Sequence, residues 1–136
     1  MMKDNVSGLF WSESYPVAST APAITYVDWS TAVSICDSLN FGGRTDWRLP
    51  TLMETTTAYS HGIRDLGYKG GGTIRPGGDT TDNNNLFISD VDTYAWTAST
   101  RSSSTATAEH VYLAEGRSTS IAKTTNTSIT VLCVAP

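Results

Sequence analysis

The chain has 136 residues, a length that suits one domain burying roughly two-thirds of its unfolded surface. Its net charge is −4, its pI near 4.9, and no stretch forms a basic stripe. This argues against sequence-independent nucleic-acid binding, which works by neutralising phosphates. Charged residues make only 16% of the chain, while Ser and Thr supply 37 of 136, so hydroxyls carry the surface polarity. That composition suits an extracellular β-rich surface, and a hydroxyl-rich intracellular domain stays open. No run approaches the roughly 18 apolar residues that span a bilayer, so direct membrane insertion is not expected.

Residues 8–17, beginning Gly8-Leu9-Phe10-Trp11, read as a first strand, without the charged-then-apolar pattern of a signal peptide. Export would then need an upstream leader or carriage on a particle. After a loop at 19–23 and a lead-in at 24–27, Trp29, Ala32, Val33, Cys36 and Leu39 lay one apolar stripe along a helix of about three turns. Asp28 is its N-cap, and Asn40 with Gly42-Gly43 is expected to end it in a left-handed C-cap.

Next comes Gly43-Arg44-Thr45-Asp46-Trp47-Arg48-Leu49-Pro50, followed by a Thr51-x-x-Glu54 capping box that opens a second helix to about Tyr59. The three threonines Thr55 to Thr57 lower its propensity, so tertiary packing must hold it. Asp46 and Arg48 flank an aromatic that goes inside, and the plainest use of both charges is an ion pair locking this turn.

From His61 to Asp92 glycines and a proline preclude regular structure. Asp79, Asp82, Asn83, Asn84, Asn85, Asp90 and Asp92 fall close together. Calcium takes six to eight oxygen ligands, which such a cluster could supply, with Asp79, Asp82, Asp90 and Asp92 as its carboxylates. The spacing does not match an EF-hand, and Asp and Asn are also ordinary turn residues. The C-terminal third reads as strands at 94–99, 109–113, 119–123 and 128–134. Trp11, Trp29, Trp47 and Trp96 are expected in the core. In the second of these strands Val111 and Leu113 alternate with His110 and Tyr112, so one pair faces the core and the other is exposed or meets a partner.

Two cysteines remain. Cys36 lies on the apolar stripe of the helix, and alternation puts Ile129, Val131 and Cys133 on one face of the last strand. Both sulfurs point inward, as a bridge or as two buried thiols in a reducing compartment.

The runs Trp29-x-x-Ala32-x-x-x-Cys36-x-x-Leu39 and Gly43-x-x-Asp46-Trp47-Arg48-Leu49-Pro50-Thr51-x-x-Glu54 resemble the C-terminal domain of the Legionella collagen-like adhesin family, found in bacterial surface and phage proteins. Gly8 to Trp11, Tyr94-Ala95-Trp96-Thr97-Ala98-Ser99-Thr100 and Val131-Leu132-Cys133-Val134 extend the likeness over nearly the whole chain. The resemblance implies an α+β, C-type-lectin-like fold: two short helices packed on a twisted antiparallel sheet, with long irregular loops. It also implies a Cys36–Cys133 disulfide joining the first helix to the last strand. Leu132 departs from it, standing where that family usually has arginine.

No Gly-x-Ser-x-Gly, His-Glu-x-x-His or paired-carboxylate signature appears, and both cysteines face the core, so no enzyme is expected. The chain reads as a single domain, 1–136, at the C-terminal end of a larger protein or as a subunit of a surface or virion assembly. The expected function is an extracellular adhesin or phage receptor-binding module. It would bind a glycan or a surface protein of a host or neighbouring cell through Asp79, Asp82, Asn84, Arg101, His110, Tyr112 and Arg117, because exposed aromatics and Arg favour recognition. No cofactor is required beyond the calcium option, and the resemblance suggests a homotrimer. Two further readings stand beside it: a structural subunit of a virion, filament or appendage, and a retroelement-diversified binding protein. An intracellular sensing domain would need the cysteines reduced.

Overall fold

Asp28 starts the first helix as its short carboxylate allows: Oδ1 accepts from the Thr31 amide at 2.7 Å and from the Ser30 hydroxyl at 2.9 Å. In the computed structural model, which describes residues 2–12, 26–60, 94–112, 116–127 and 129–136, this helix is α1, Trp29–Ser38. Ala32 and Cys36 are fully buried on its inner stripe, with Trp29, Val33, Ile35 and Leu39 packed at the margin. The expected left-handed stop does not occur. Leu39 ends the helix in an extended conformation (φ −70°, ψ 125°), its amide bonding back to the Cys36 carbonyl. The positive φ angles fall instead on Gly42 (63°) and Gly43 (77°), which turn the chain so that Phe41 and Arg44 pair across a bridge.

The Asp-Trp-Arg-Leu-Pro-Thr run joins four parts of the molecule. Trp47 is buried, its Nε1 donating to the carbonyls of Phe41 and Arg44 at 3.3 and 3.2 Å. The Arg48 main chain exchanges two hydrogen bonds with Val134, at 2.9 and 2.8 Å. The Pro50 carbonyl accepts from Ala98 at 2.7 Å. Thr51 and Glu54 then form the expected capping box: the Thr51 Oγ1 accepts from the Glu54 amide, and Glu54 Oε2 accepts from the Thr51 amide at 2.8 Å. Helix α2, Leu52–Ser60, follows. Asp46 and Arg48 do not pair with each other. Their side chains diverge, Asp46 to Arg44 at 2.6 Å and Arg48 to Glu54 at 2.6 Å.

Two sheets complete the fold. Strands β1 (Met2–Lys3), β2 (Phe10–Trp11) and β7 (Val134–Ala135) bring the two ends of the chain together. The larger sheet holds β3 (Tyr94–Arg101), β4 (Ser104–Tyr112), β5 (Arg117–Ala122) and β6 (Ile129–Thr130), in the order β5-β4-β3-β6. It is mixed rather than antiparallel throughout, since β6 runs parallel to β3. The expected last strand is split in two, because residues 131–133 leave the larger sheet before β7 joins the smaller one. Architecture is α+β, with two helices and a curled mixed sheet.

Alternation along β3 decides what each face meets. Trp96 belongs to a core cluster with Ala32, Cys36, Trp47 and Ile129, on the side of α1. Its neighbour Ala95 belongs to a second cluster with Trp11, Ala58, Val111 and Leu132, on the side of α2. Both faces of the sheet are therefore covered over much of its length. Leu132 fits this arrangement: a fully buried aliphatic among apolar neighbours, where an arginine would need a buried partner. Cys36 and Cys133 form a disulfide across 97 residues of sequence, with Cα atoms 5.5 Å apart.

Candidate functional site

The register of β3, β4 and β5 lines up ring-bearing side chains from separate strands on one face. Tyr94 stands opposite Tyr112, Trp96 opposite His110, and Tyr112 opposite Arg117. Ring centroids of Tyr94 and Tyr112 lie 5.0 Å apart, and those of Tyr94 and His110 also 5.0 Å, edge to face. His110 meets Trp96 edge-on at 6.1 Å. The Arg117 guanidinium sits 5.6 Å from the centre of the Tyr112 ring. The array grades from core to solvent: Trp96 is fully buried, Tyr94 and Tyr112 are half-buried, and Arg117 is exposed.

Trp96 anchors the inner end by donating its Nε1 to the Val27 carbonyl at 2.8 Å. Val27 in turn bonds through its amide to the Ile129 carbonyl at 3.2 Å, so the segment entering α1 clamps this face. A second aromatic–cation contact borders it, with Lys123 Nζ 4.2 Å from the centre of the Trp29 ring. Trp29 is thus half-buried rather than a core residue, unlike Trp11, Trp47 and Trp96.

His110 corrects an expectation. It was read with Tyr112 as an exposed pair on one face of its strand, yet it retains only 4% of its surface. Because α1 and α2 cover opposite faces of the sheet, Val111 and His110 are both buried despite alternating. Burial pushes the His110 pKa down from its ordinary value, against an opposing pull from the Glu109 carboxylate. Its Nδ1 has no hydrogen-bond partner. His110 lies under the tyrosines as support, away from solvent.

Arg101 lies apart from these residues. It ends β3 while Tyr94 begins it, a separation of roughly 23 Å at the usual rise per residue. Its Nε donates to Glu109 at 2.9 Å. Of the candidate residues, the fold brings together His110, Tyr112 and Arg117, and leaves Arg101 at the far end of the hairpin. Asp79, Asp82, Asn84, Asp90 and Asp92, including the whole calcium cluster, lie outside the described residues. Among the described residues no group of three His, Cys, Asp or Glu is placed to hold a metal ion.

Tyr94 is the functional-site residue that the strand pattern alone did not single out. Its i, i+2 spacing from Trp96 places the two on one face. Only the register with β4 reveals that the same face carries His110 and Tyr112.

A family model described as the Lcl C-terminal domain matches residues 1–135 of the chain. No curated protein matches it. No helix among the described residues is long and apolar enough to cross a membrane.

Proposed function

The chain belongs to the Lcl C-terminal domain family, and from that premise we propose that it is a non-enzymatic recognition module with a C-type-lectin-like fold. Membership itself suggests an adhesin-like surface module. The finer reading is that it works outside the cell, on a cell surface or virion, and binds a glycan of a host or neighbouring cell. The observation that carries it is the Tyr94–Tyr112–Arg117 array at one end of the larger sheet.

Half-buried tyrosines give a ligand flat apolar area at small entropic cost and keep their hydroxyls for polar contacts. The C–H face of a sugar ring packs on such a surface, while Arg117 supplies directional donors to hydroxyl or carboxylate oxygens. The rings are held from below by His110 and Trp96, so the tyrosine rings that meet the ligand are ordered before binding.

Purified domain on a glycan array tests this. The reading predicts saturable binding that Tyr112→Ala abolishes and Arg101→Ala leaves intact. Absence of binding to any glycan or cell, together with concentration-dependent polymers, would favour a structural subunit instead.

A further inference from the structure

Strand β5 is the outermost strand on its side of the larger sheet, and its main chain divides cleanly into two edges. The Lys123 amide donates to the Ala106 carbonyl at 3.0 Å, and the register then runs unbroken from Thr107 opposite Ala122 to Tyr112 opposite Arg117. Antiparallel ladders alternate bonded and non-bonded pairs. Ile121 and Thr119 therefore turn their amides and carbonyls toward β4, while Ser118, Ser120 and Ala122 turn theirs away. The Ala122 carbonyl accepts from Thr125 at 3.0 Å. The amides and carbonyls of Ser118 and Ser120 have no partner among the described residues.

Folded proteins usually blunt such an edge with proline, a bulge or a charge within the strand. Ser118-Thr119-Ser120-Ile121-Ala122 has none of these: no proline, no charge and no register shift against β4. Ser118 and Thr119 are exposed, and Gly116 at φ 69° turns the chain cleanly into the strand.

Charge selects the occupant. Cations stand at both ends, Arg117 and Lys123, and β5 carries no carboxylate. A second copy pairing antiparallel about Ser120 would set Arg117 of one copy beside Lys123 of the other. Parallel pairing would set Arg117 beside Arg117. Like charges directly across a strand pair are destabilising, so self-pairing is disfavoured in either direction.

We propose that β5 accepts, by strand addition, an extended segment of a partner protein whose acidic residues are spaced to meet Arg117 and Lys123. Main-chain bonds to Ser118 and Ser120 supply affinity, and the two end charges supply selection and register. This edge is distinct from the ring face assigned to a glycan, so the two readings stand or fall separately.

The test uses two synthetic peptides, Asp-Thr-Val-Thr-Val-Thr-Asp and its counterpart with lysine at both ends, with hydrogen exchange followed residue by residue by NMR. The acid-ended peptide is expected to slow exchange at the Ser118 and Ser120 amides selectively. It should bind about tenfold more tightly than the lysine-ended one. The double variant Arg117→Glu, Lys123→Glu should reverse that preference, and Ser120→Pro, which removes an outward amide, should abolish binding. Equal binding of both peptides, or no slowing at Ser118 and Ser120 in the wild-type chain, would overturn the proposal. So would slowing that grows with protein concentration alone, which would mean a second copy occupies the edge.

Discussion

The guanidinium of Arg48 and the carboxylate of Glu54 face each other through two parallel hydrogen bonds, Nη2 to Oε1 at 2.6 Å and Nη1 to Oε2 at 2.9 Å. The same Glu54 Oε2 accepts from the amide and hydroxyl of Thr51. One carboxylate thus closes the capping box of α2 and fixes the arginine whose main chain is laced to Val134.

These bonds hold the Glu54 pKa down, from an ordinary 4.5 to about 2, chiefly through Arg48. A depressed carboxylate pKa contributes stability that is fully present above the unfolded value and is lost as pH falls through the folded one. Wild-type stability should therefore fall between about pH 4.5 and pH 2, and Glu54→Gln should flatten that limb. At neutral pH Glu54→Ala is expected to cost about 2 kcal/mol, read from urea melts at pH 7 and pH 3.

His110 gives a second limb with the same sign. Burial lowers its folded pKa below the ordinary 6.5, so the unfolded chain binds the proton first. Stability from this site is present above about pH 6.5 and is lost as pH falls through the lower folded value. His110→Leu, which also removes the unpartnered Nδ1, should abolish this limb and leave the protein at least as stable at pH 5. Denaturation midpoints from pH 7.5 to pH 5, with NMR titration of the His110 ring, check it.

Cys36 and Cys133 are 0% and 2% exposed, so reductant should reach their bridge only through unfolding. Without denaturant, thiol reagents should find no reactive cysteine. Replacing both by serine should cost about 2–5 kcal/mol, since the closed loop is long. The comparison is a pair of denaturant melts, with and without reductant, on wild type and double variant.

Gly116 has φ 69°, and a Cβ there would run into the ring of Tyr59 on α2. Gly116→Ala combines a left-handed alanine with a clash between the helix and the turn into β5, and should cost at least about 2 kcal/mol. Tyr59→Ala made in the same background should recover part of the loss, which a double-mutant cycle measures.

Local chemistry made much of this legible in the sequence. The Asp28 cap, the Thr51/Glu54 box and the Ala32–Cys36 stripe depend on neighbours within a turn or two, and each stands where its pattern puts it. The inward sulfurs follow from two periodicities that needed no knowledge of each other. What depends on distant partners was less legible. Asp46 and Arg48 were close in sequence but chose Arg44 and Glu54, because the intervening Trp47 turns inward between diverging side chains. His110 carried the alternation of an exposed residue, yet alternation predicts exposure only when one face is bare, and here helices pack against both. The alignment of Tyr94 with Tyr112 required the β3–β4 register, which bulges between Trp96 and Arg101 hide from the sequence.

The claim that the tyrosine–arginine end of the larger sheet is the recognition surface is tested most directly by NMR shift mapping with the strongest ligand from the glycan array. Saturable shifts should gather at Tyr94, Tyr112 and Arg117, with Arg101 and Met53 unmoved. Shifts confined to Arg101 and Glu109, or to the exposed face of α2 around Met53, would contradict it.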